Sequence, residues 1–191
     1  MKKKLSRIHS HTMELPRLIV VGNNNLNQIG KFLKTLSNPK KVSLISGKNV
    51  KSILGKKIEK SLTSSKIKFR WELTTANDPN SIKNIQKKLE KSNDDLLLGV
   101  GGGRSVDIAK ISAYKLKKSF VSVPTSASHD GMSSPFVSVR GEKPHSLIAT
   151  APLGVFVDVD VIKNAPRRLI SSGCGDLIAK ITAVKDWEIA S

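Results

Sequence analysis

The chain has 191 residues, with 33 Lys and Arg against 15 Asp and Glu, a formal net charge of +18 and one cysteine. That length supports one good core plus a piece of another domain. The lone Cys174 excludes an internal disulfide framework or a multi-cysteine zinc site and fits a reducing compartment. No run approaches the ~18 apolar residues that span a bilayer. The basic start MKKKLSRIHS lacks the apolar core of a signal peptide, so a cytoplasmic chain is expected. The excess charge concentrates anions of any kind: nucleic acid, anionic lipid or small phosphorylated molecules.

In chain order, RLIVVG (17–22) is a short apolar strand. NNNLNQIGKFLKTLS follows as a helix, with Leu26, Ile29, Leu33 and Leu36 on one face behind an Asn cap. KKVSLISG and KNVKSILGKKIEKSL repeat the unit, with Val50, Leu54 and Ile58 as the inward stripe. KIKFRWEL alternates, placing Ile67, Phe69, Trp71 and Leu73 on one side of a half-exposed strand. Asp78 caps a helix that has Pro79 at its first position and Ile82, Ile85 and Leu89 inward. DDLLLGVGGG with RSVDIAKISAYKL is a fourth strand–helix pair, and SFVSVP a fifth strand. The lysines interleaved among these helices read as solvated faces. Strands alternating with crossover helices predict an α/β fold, an open and mostly parallel Rossmann-like sheet covered on both faces.

Beyond Pro135 come two β-rich runs about an Arg140–Lys143 turn, then another strand, and from Ala165 the composition turns helical. The expected organisation is a nucleotide-binding domain over 1–164, followed at 165–191 by the beginning of a helical domain.

Three segments carry chemistry. In LLLGVGGGRSVDIAK, Gly99, Gly101, Gly102 and Gly103 close a strand and enter a helix, where bare backbone N–H groups and the helix dipole suit a phosphate. Neither the dinucleotide fingerprint nor the P-loop fits, and a plain tight turn with Asp107 opposing the dipole reads equally well. SVPTSASHDGMSSP leaves the next strand at the same carboxyl edge, where Thr125, Ser126 and Ser128 offer hydroxyls and His129 with Asp130 a titratable pair. In SSGCGDLIAK, Asp176 stands at an expected helix start, either as a cap or as a cation ligand. Lys180, one turn on, would face the same way.

Together GGGRSVDIAK, PTSASHDGMSSP and GCGDLIAKITAVKDWE resemble the archaeal sn-glycerol-1-phosphate dehydrogenases, within the iron-alcohol-dehydrogenase and dehydroquinate-synthase-like group. The resemblance covers essentially the whole chain, and TSASHDG is its most specific part. It implies reduction of dihydroxyacetone phosphate to sn-glycerol 1-phosphate by NADH or NADPH, for archaeal membrane phospholipid biosynthesis, with a catalytic zinc. Gly101, Gly102, Gly103, Arg104 and Ser105 resemble the pyrophosphate turn, and Thr125, Ser126, Ala127, Ser128 and Ser134 the remaining nucleotide contacts. Asp130 matches a catalytic, substrate-contacting aspartate, and Asp176 the first zinc ligand, also placed at the substrate. Family members run longer, with a helical domain supplying two histidine zinc ligands, whereas His9, His11, His129 and His145 all precede Asp176 here. The His9–His11 pair lies at the wrong end to replace them. An incomplete site is therefore expected, inactive or weakly active by itself, with association as a homo-oligomer or through the missing helical domain. The stretch ISGKNV at the end of the second strand supplies no acid and places Lys48 there, so NADPH is expected to be tolerated. The alternatives are a related glycerol dehydrogenase of the same fold, or a basic nucleic-acid-binding protein. Against the latter stand 4% aromatic residues and the absence of any specific nucleic-acid motif.

Overall fold

The computed structural model describes residues 14–76, 78–139 and 145–190. Its strands are β1 (Leu18–Gly22), β2 (Lys41–Gly47), β3 (Lys68–Thr74), β4 (Leu96–Gly101), β5 (Ser119–Pro124), β6 (Phe136–Val139), β7 (His145–Ile148) and β8 (Gly154–Asp158). Its helices are α1 (Ile29–Leu36), α2 (Lys48–Ser64), α3 (Pro79–Glu90), α4 (Gly103–Leu116), α5 (Val159–Lys163) and α6 (Arg167–Ala190). Six strands pair in the order β1-β8-β5-β4-β2-β3, every ladder parallel. β6 and β7 form a separate antiparallel pair. The Arg140–Lys143 turn and the His9–His11 pair lie outside the described residues.

A parallel sheet has no wet face, which is why β4 reads as a nearly unbroken apolar run and is buried along its length. Alternate residues feed two cores. Val42, Leu44, Leu98, Val121 and Phe156 pack with the apolar stripes of α1 and α2 on one face. Ile45, Leu97 and Phe120 pack with α3 and α4 on the other. Each fully buried Leu, Ile or Phe contributes about 1.5–3 kcal/mol. Where a side chain at Gly99 would stand, Val106 Cα lies 2.9 Å away, so α4 rests directly on the sheet.

This arrangement fixes where a ligand can sit. The adjacent strands β2 and β4 send their chains to opposite faces, into α2 and α4, and a crevice opens between their carboxyl ends. Asp78 caps α3 as expected, accepting from the Asn80 and Ser81 amides at 3.0 Å each, with Pro79 in the first turn.

Three local expectations are corrected. Asn25 does not cap α1, because a 3-10 turn over Leu26–Gln28 intervenes. Its amide donates to the Val157 carbonyl at 3.2 Å, and the Leu26 N–H is taken instead by Asp158 Oδ2 at 2.9 Å. On β3 it is Leu73 that is exposed, while Glu72 and Thr74 on the polar side are buried. There Arg70 bonds Ser43 Oγ at 2.6 Å and Asp94 at 3.1 Å, and Lys88 reaches Glu72 at 3.6 Å, an ionic network that no alternation pattern reveals. Asp176 does not start a helix: α6 begins at Arg167 and runs through both Gly173 and Gly175. The two glycines read as a break, yet helical backbone on either side carries through them.

Candidate functional site: the glycine turn and the Ser126–Asp130 loop

The glycine turn and the hydroxyl-rich loop meet at the carboxyl edge of adjacent strands β4 and β5. Gly101 holds φ +146°, a conformation open to glycine, and its carbonyl accepts from the Thr125 amide at 3.0 Å. Gly102 is the N-cap of α4 but has no side chain to cap with, so the first N–H groups of a 14-residue helix are left for a ligand. The Ser126 hydroxyl stands 3.3 Å from the point where a Gly102 side chain would begin, and it is buried without a hydrogen-bond partner among the described residues. A buried hydroxyl without a partner, aimed into an open helix N-terminus, is a site for an acceptor atom that both can reach. Between the segments a space of about 10 Å³ is lined by Gly101–Gly103, Ser126, Ser128 and His129, roughly the room for one water-sized group.

His129 forms the roof of this space. Its Nδ1 accepts from the Gly131 amide at 2.9 Å, and its Nε2 lies 2.2 Å from the ideal Cβ position on Gly103, so any side chain there displaces the ring. Ser105 turns its hydroxyl onto Gly101. Arg104 directs its guanidinium away, to the Thr75 carbonyl at 2.8 Å, leaving its backbone as the part at the turn.

Next to the turn lies a cleft of about 440 Å³, lined by Val50, Leu54, Lys57, Thr125, Asp158 and Val161 among others. Thr125 borders this cleft and its neighbour Ser126 the glycine turn, so an elongated ligand can lie across both. Lys48 and Asn49 are exposed at the end of β2, and the stretch ISGKNV (45–50) there includes no acid. Sequence reasoning missed Asp158, Lys57 and Val161. The only signal was that Asp158 ends a buried strand at the same edge.

On the other side, Asp130 begins a 3-10 turn to Met132 and meets α6. Its amide donates to Asp176 Oδ2 at 3.2 Å. Lys180 lies 3.0 Å from Asp130 and 3.7 Å from Asp176, and the hydrogen bond its ammonium donates to Asp130 raises its pKa above the ordinary lysine value. Ser172 Oγ donates to the Ser128 carbonyl at 3.2 Å. Helix and loop approach this closely because residue 173 is glycine: a Cβ there would stand 1.8 Å from the Ala127 carbonyl oxygen. Ala127 thus serves α6 through its backbone, and Ser134 closes the turn with its amide 3.4 Å from the Asp130 carbonyl. None of the described residues of α6 is buried, and Leu177, Ile178, Ile181, Val184 and Trp187 are exposed along it.

Lys110 was not singled out from sequence, since a lysine three residues after an aspartate on a helix reads as a surface pair. It is fully buried. Its ammonium donates to the Gly131 and Phe136 carbonyls at 2.6 Å each and lies 3.9 Å from Asp107. Burial pushes its pKa down to about 8, against the pull of Asp107 and Asp130. Burial also raises Asp107, which Lys110 and His129 oppose.

A zinc ion finds a poor donor set here. Among the described residues no three His, Cys, Asp or Glu side chains converge. The two nearby carboxylates, Asp130 and Asp176, already share the Lys180 ammonium. Three protein ligands with an open position are what a catalytic zinc needs, and the residues present do not supply them.

Comparison with known proteins bears on the family and the fold. The model of the iron-containing alcohol dehydrogenase family matches residues 20–166. A protein of Nitrosopumilus maritimus named glycerol-1-phosphate dehydrogenase (NAD(P)+) is 58% identical over 189 residues, 99% of this chain and 53% of its own length. One of the same name from Cenarchaeum symbiosum is 57% identical over 180 residues, 94% of this chain and 51% of its own. The chain thus spans about half the length of the curated relatives it matches. Among solved structures, glycerol dehydrogenase from Schizosaccharomyces pombe superposes with a TM-score of 0.80 at 23% identity, covering 89% of this chain and 44% of that one. An iron-containing alcohol dehydrogenase from Thermotoga maritima gives 0.76 at 18% identity, covering 86% and 52%. At such identities the two structures speak for the fold, a six-stranded parallel sheet with helices. With the family model matching most of its length, the chain belongs to the iron-containing alcohol dehydrogenase family.

Proposed function

We propose that this chain carries the nucleotide-binding half of an NAD(P)H-dependent oxidoreductase that reduces dihydroxyacetone phosphate to sn-glycerol 1-phosphate. The observation that carries the reading is the buried, unpartnered Ser126 hydroxyl facing the open N-terminus of α4 across Gly102. The pyrophosphate would take the helix N–H groups and the Ser126 and Ser128 hydroxyls, and the adenosine the neighbouring 440 Å³ cleft. Without an acid at the end of β2, and with Lys48 exposed there, nothing in that stretch repels a 2′-phosphate, which favours tolerance of NADPH.

Asp130 and Lys180 form the ketone end of the site, and the exposed Lys180 ammonium favours a phosphorylated ketone over free dihydroxyacetone. The relatives' names support the same substrate class. No step is assigned to zinc, because the donors present do not fit it. The chain alone is therefore expected to bind the nucleotide and to turn over little.

Titrating the chain with NADPH and NADH by nicotinamide fluorescence tests this. Saturable binding of both supports the reading, as does competition by ADP-ribose. Absence of nucleotide binding, together with salt-dependent binding of a random oligonucleotide, would replace it with a nucleic-acid-binding role. Rapid NADH oxidation with dihydroxyacetone phosphate and added zinc would refute the expectation of little turnover.

A further inference from the structure

The proposed site uses the first turn of α4, but the same helix also reaches the opposite side of the site through a residue with no role so far. Lys110 lies two turns along α4 and has no exposed surface. Its ammonium binds two backbone carbonyls, Gly131 O and Phe136 O, at 2.6 Å each. Those carbonyls mark the two ends of the segment that follows Asp130, so one cation gathers the loop around itself.

Burying an ammonium is costly, and an apolar side chain of the same length would fill the space without that cost. Compensation is incomplete: Asp107 Oδ1 is 3.9 Å away, beyond hydrogen-bond reach, that buried oxygen has no hydrogen-bond partner among the described residues, and Asp130 adds only a Coulombic pull. Packing therefore does not account for a charge at this position, whereas charge-assisted bonds to two specified carbonyls do. The pinned carbonyl of Gly131 is one residue from Asp130, and the Gly131 amide holds the His129 ring over Gly103. Asp130 in turn meets Asp176 and Lys180 on α6. The glycine turn and the Asp130 loop are thus referred to a single helix, α4.

We propose that Lys110 is a positioning residue: by holding the Gly131 and Phe136 carbonyls, its ammonium sets where the Asp130 carboxylate stands relative to the glycine turn. Naming those two places as ketone and nucleotide subsites rests on the proposed function; the clamp itself does not.

The test compares wild type, Lys110→Met and Lys110→Ala by amide hydrogen exchange of the full chain, with the Ala variant also measured in millimolar ethylammonium. Loss of the clamp is expected to speed exchange at Gly131, Ser133 and Ser134 about tenfold or more, with Leu98 and Val121 in the sheet unchanged. Ethylammonium is expected to restore protection in Lys110→Ala, which an effect of lost packing alone would not allow. Equal loop exchange in wild type and Lys110→Met would overturn the proposal. So would a loss of protection throughout the sheet that ethylammonium does not reverse. NADPH titration of wild type separates the two readings, since absence of binding there removes the nucleotide assignment and leaves the exchange comparison standing.

Discussion

Replacing Gly173 by alanine probes the contact that joins α6 to the Asp130 loop. The new methyl would lie 1.8 Å from the Ala127 carbonyl oxygen and 3.0 Å from its carbon, both backbone atoms that no rotamer change can move aside. What holds α6 there is small. Among the described residues it comprises the Ser172–Ser128 hydrogen bond at 3.2 Å, the Asp130–Asp176 bond at 3.2 Å and the exposed Lys180–Asp130 pair at 3.0 Å. At about 1 kcal/mol for the neutral hydrogen bond and about 1.5–3 for the one to a carboxylate, docking is worth roughly 2.5–4 kcal/mol, to which the solvent-screened ion pair adds little. The overlap exceeds what so weak an attachment can absorb, so α6 is expected to release while the sheet stays intact. Exchange of the Asp130 amide, which donates to Asp176, should then accelerate at least about tenfold, since 1.4 kcal/mol is a factor of ten. Gly175→Ala is the control. Nothing lies within 4 Å of its Cβ position, and alanine in a helix interior should steady α6 by up to about 1 kcal/mol. Unchanged Asp130 exchange in Gly173→Ala, or acceleration of the same size in Gly175→Ala, would refute this reasoning.

Ser126→Ala removes a buried hydroxyl without a partner, so thermal stability should hold or rise by up to about 1 kcal/mol while NADPH affinity falls roughly 3- to 10-fold; a loss of stability with unchanged affinity would count against the anion site. Arg104→Ala should weaken NADPH binding by about threefold or less, because the guanidinium rests on Thr75, and a larger loss in titration would place it on a phosphate. Lys110 gives a pH signature. Its folded pKa near 8 lies below the ordinary 10.5, so between those values the unfolded chain binds the extra proton and stability rises with pH. Urea titrations at pH 7 and pH 10 should show wild type gaining on Lys110→Met by on the order of 3 kcal/mol. A constant gap would contradict the buried charge.

Much of the fold was legible because its signals are local. Apolar runs of five to seven residues between amphipathic helices imply a parallel sheet, and parallel connectivity alone brings the ends of β4 and β5 to one edge. That is why the meeting of the glycine turn with the hydroxyl loop could be expected from sequence. The misreadings share another cause. Gly173 and Gly175 look like a helix break, but a glycine inside a helix also permits close approach, and only the neighbouring Ala127 carbonyl distinguishes the two. Arg104 has the composition of a phosphate ligand, and a carbonyl 29 residues earlier claims it.

The sequence by itself determined the order of strands and helices, the two apolar faces and the bare backbone at the glycine turn, because each depends on residues within a few positions of one another. Only the tertiary structure decided which charges are inside. Lys110, Glu72 and Asp158 have the residue types of a surface, and each is buried because other segments of the chain present the carbonyls, cations or amides that satisfy it. A polar group goes where its partners are, and those partners are assembled only when the sheet closes.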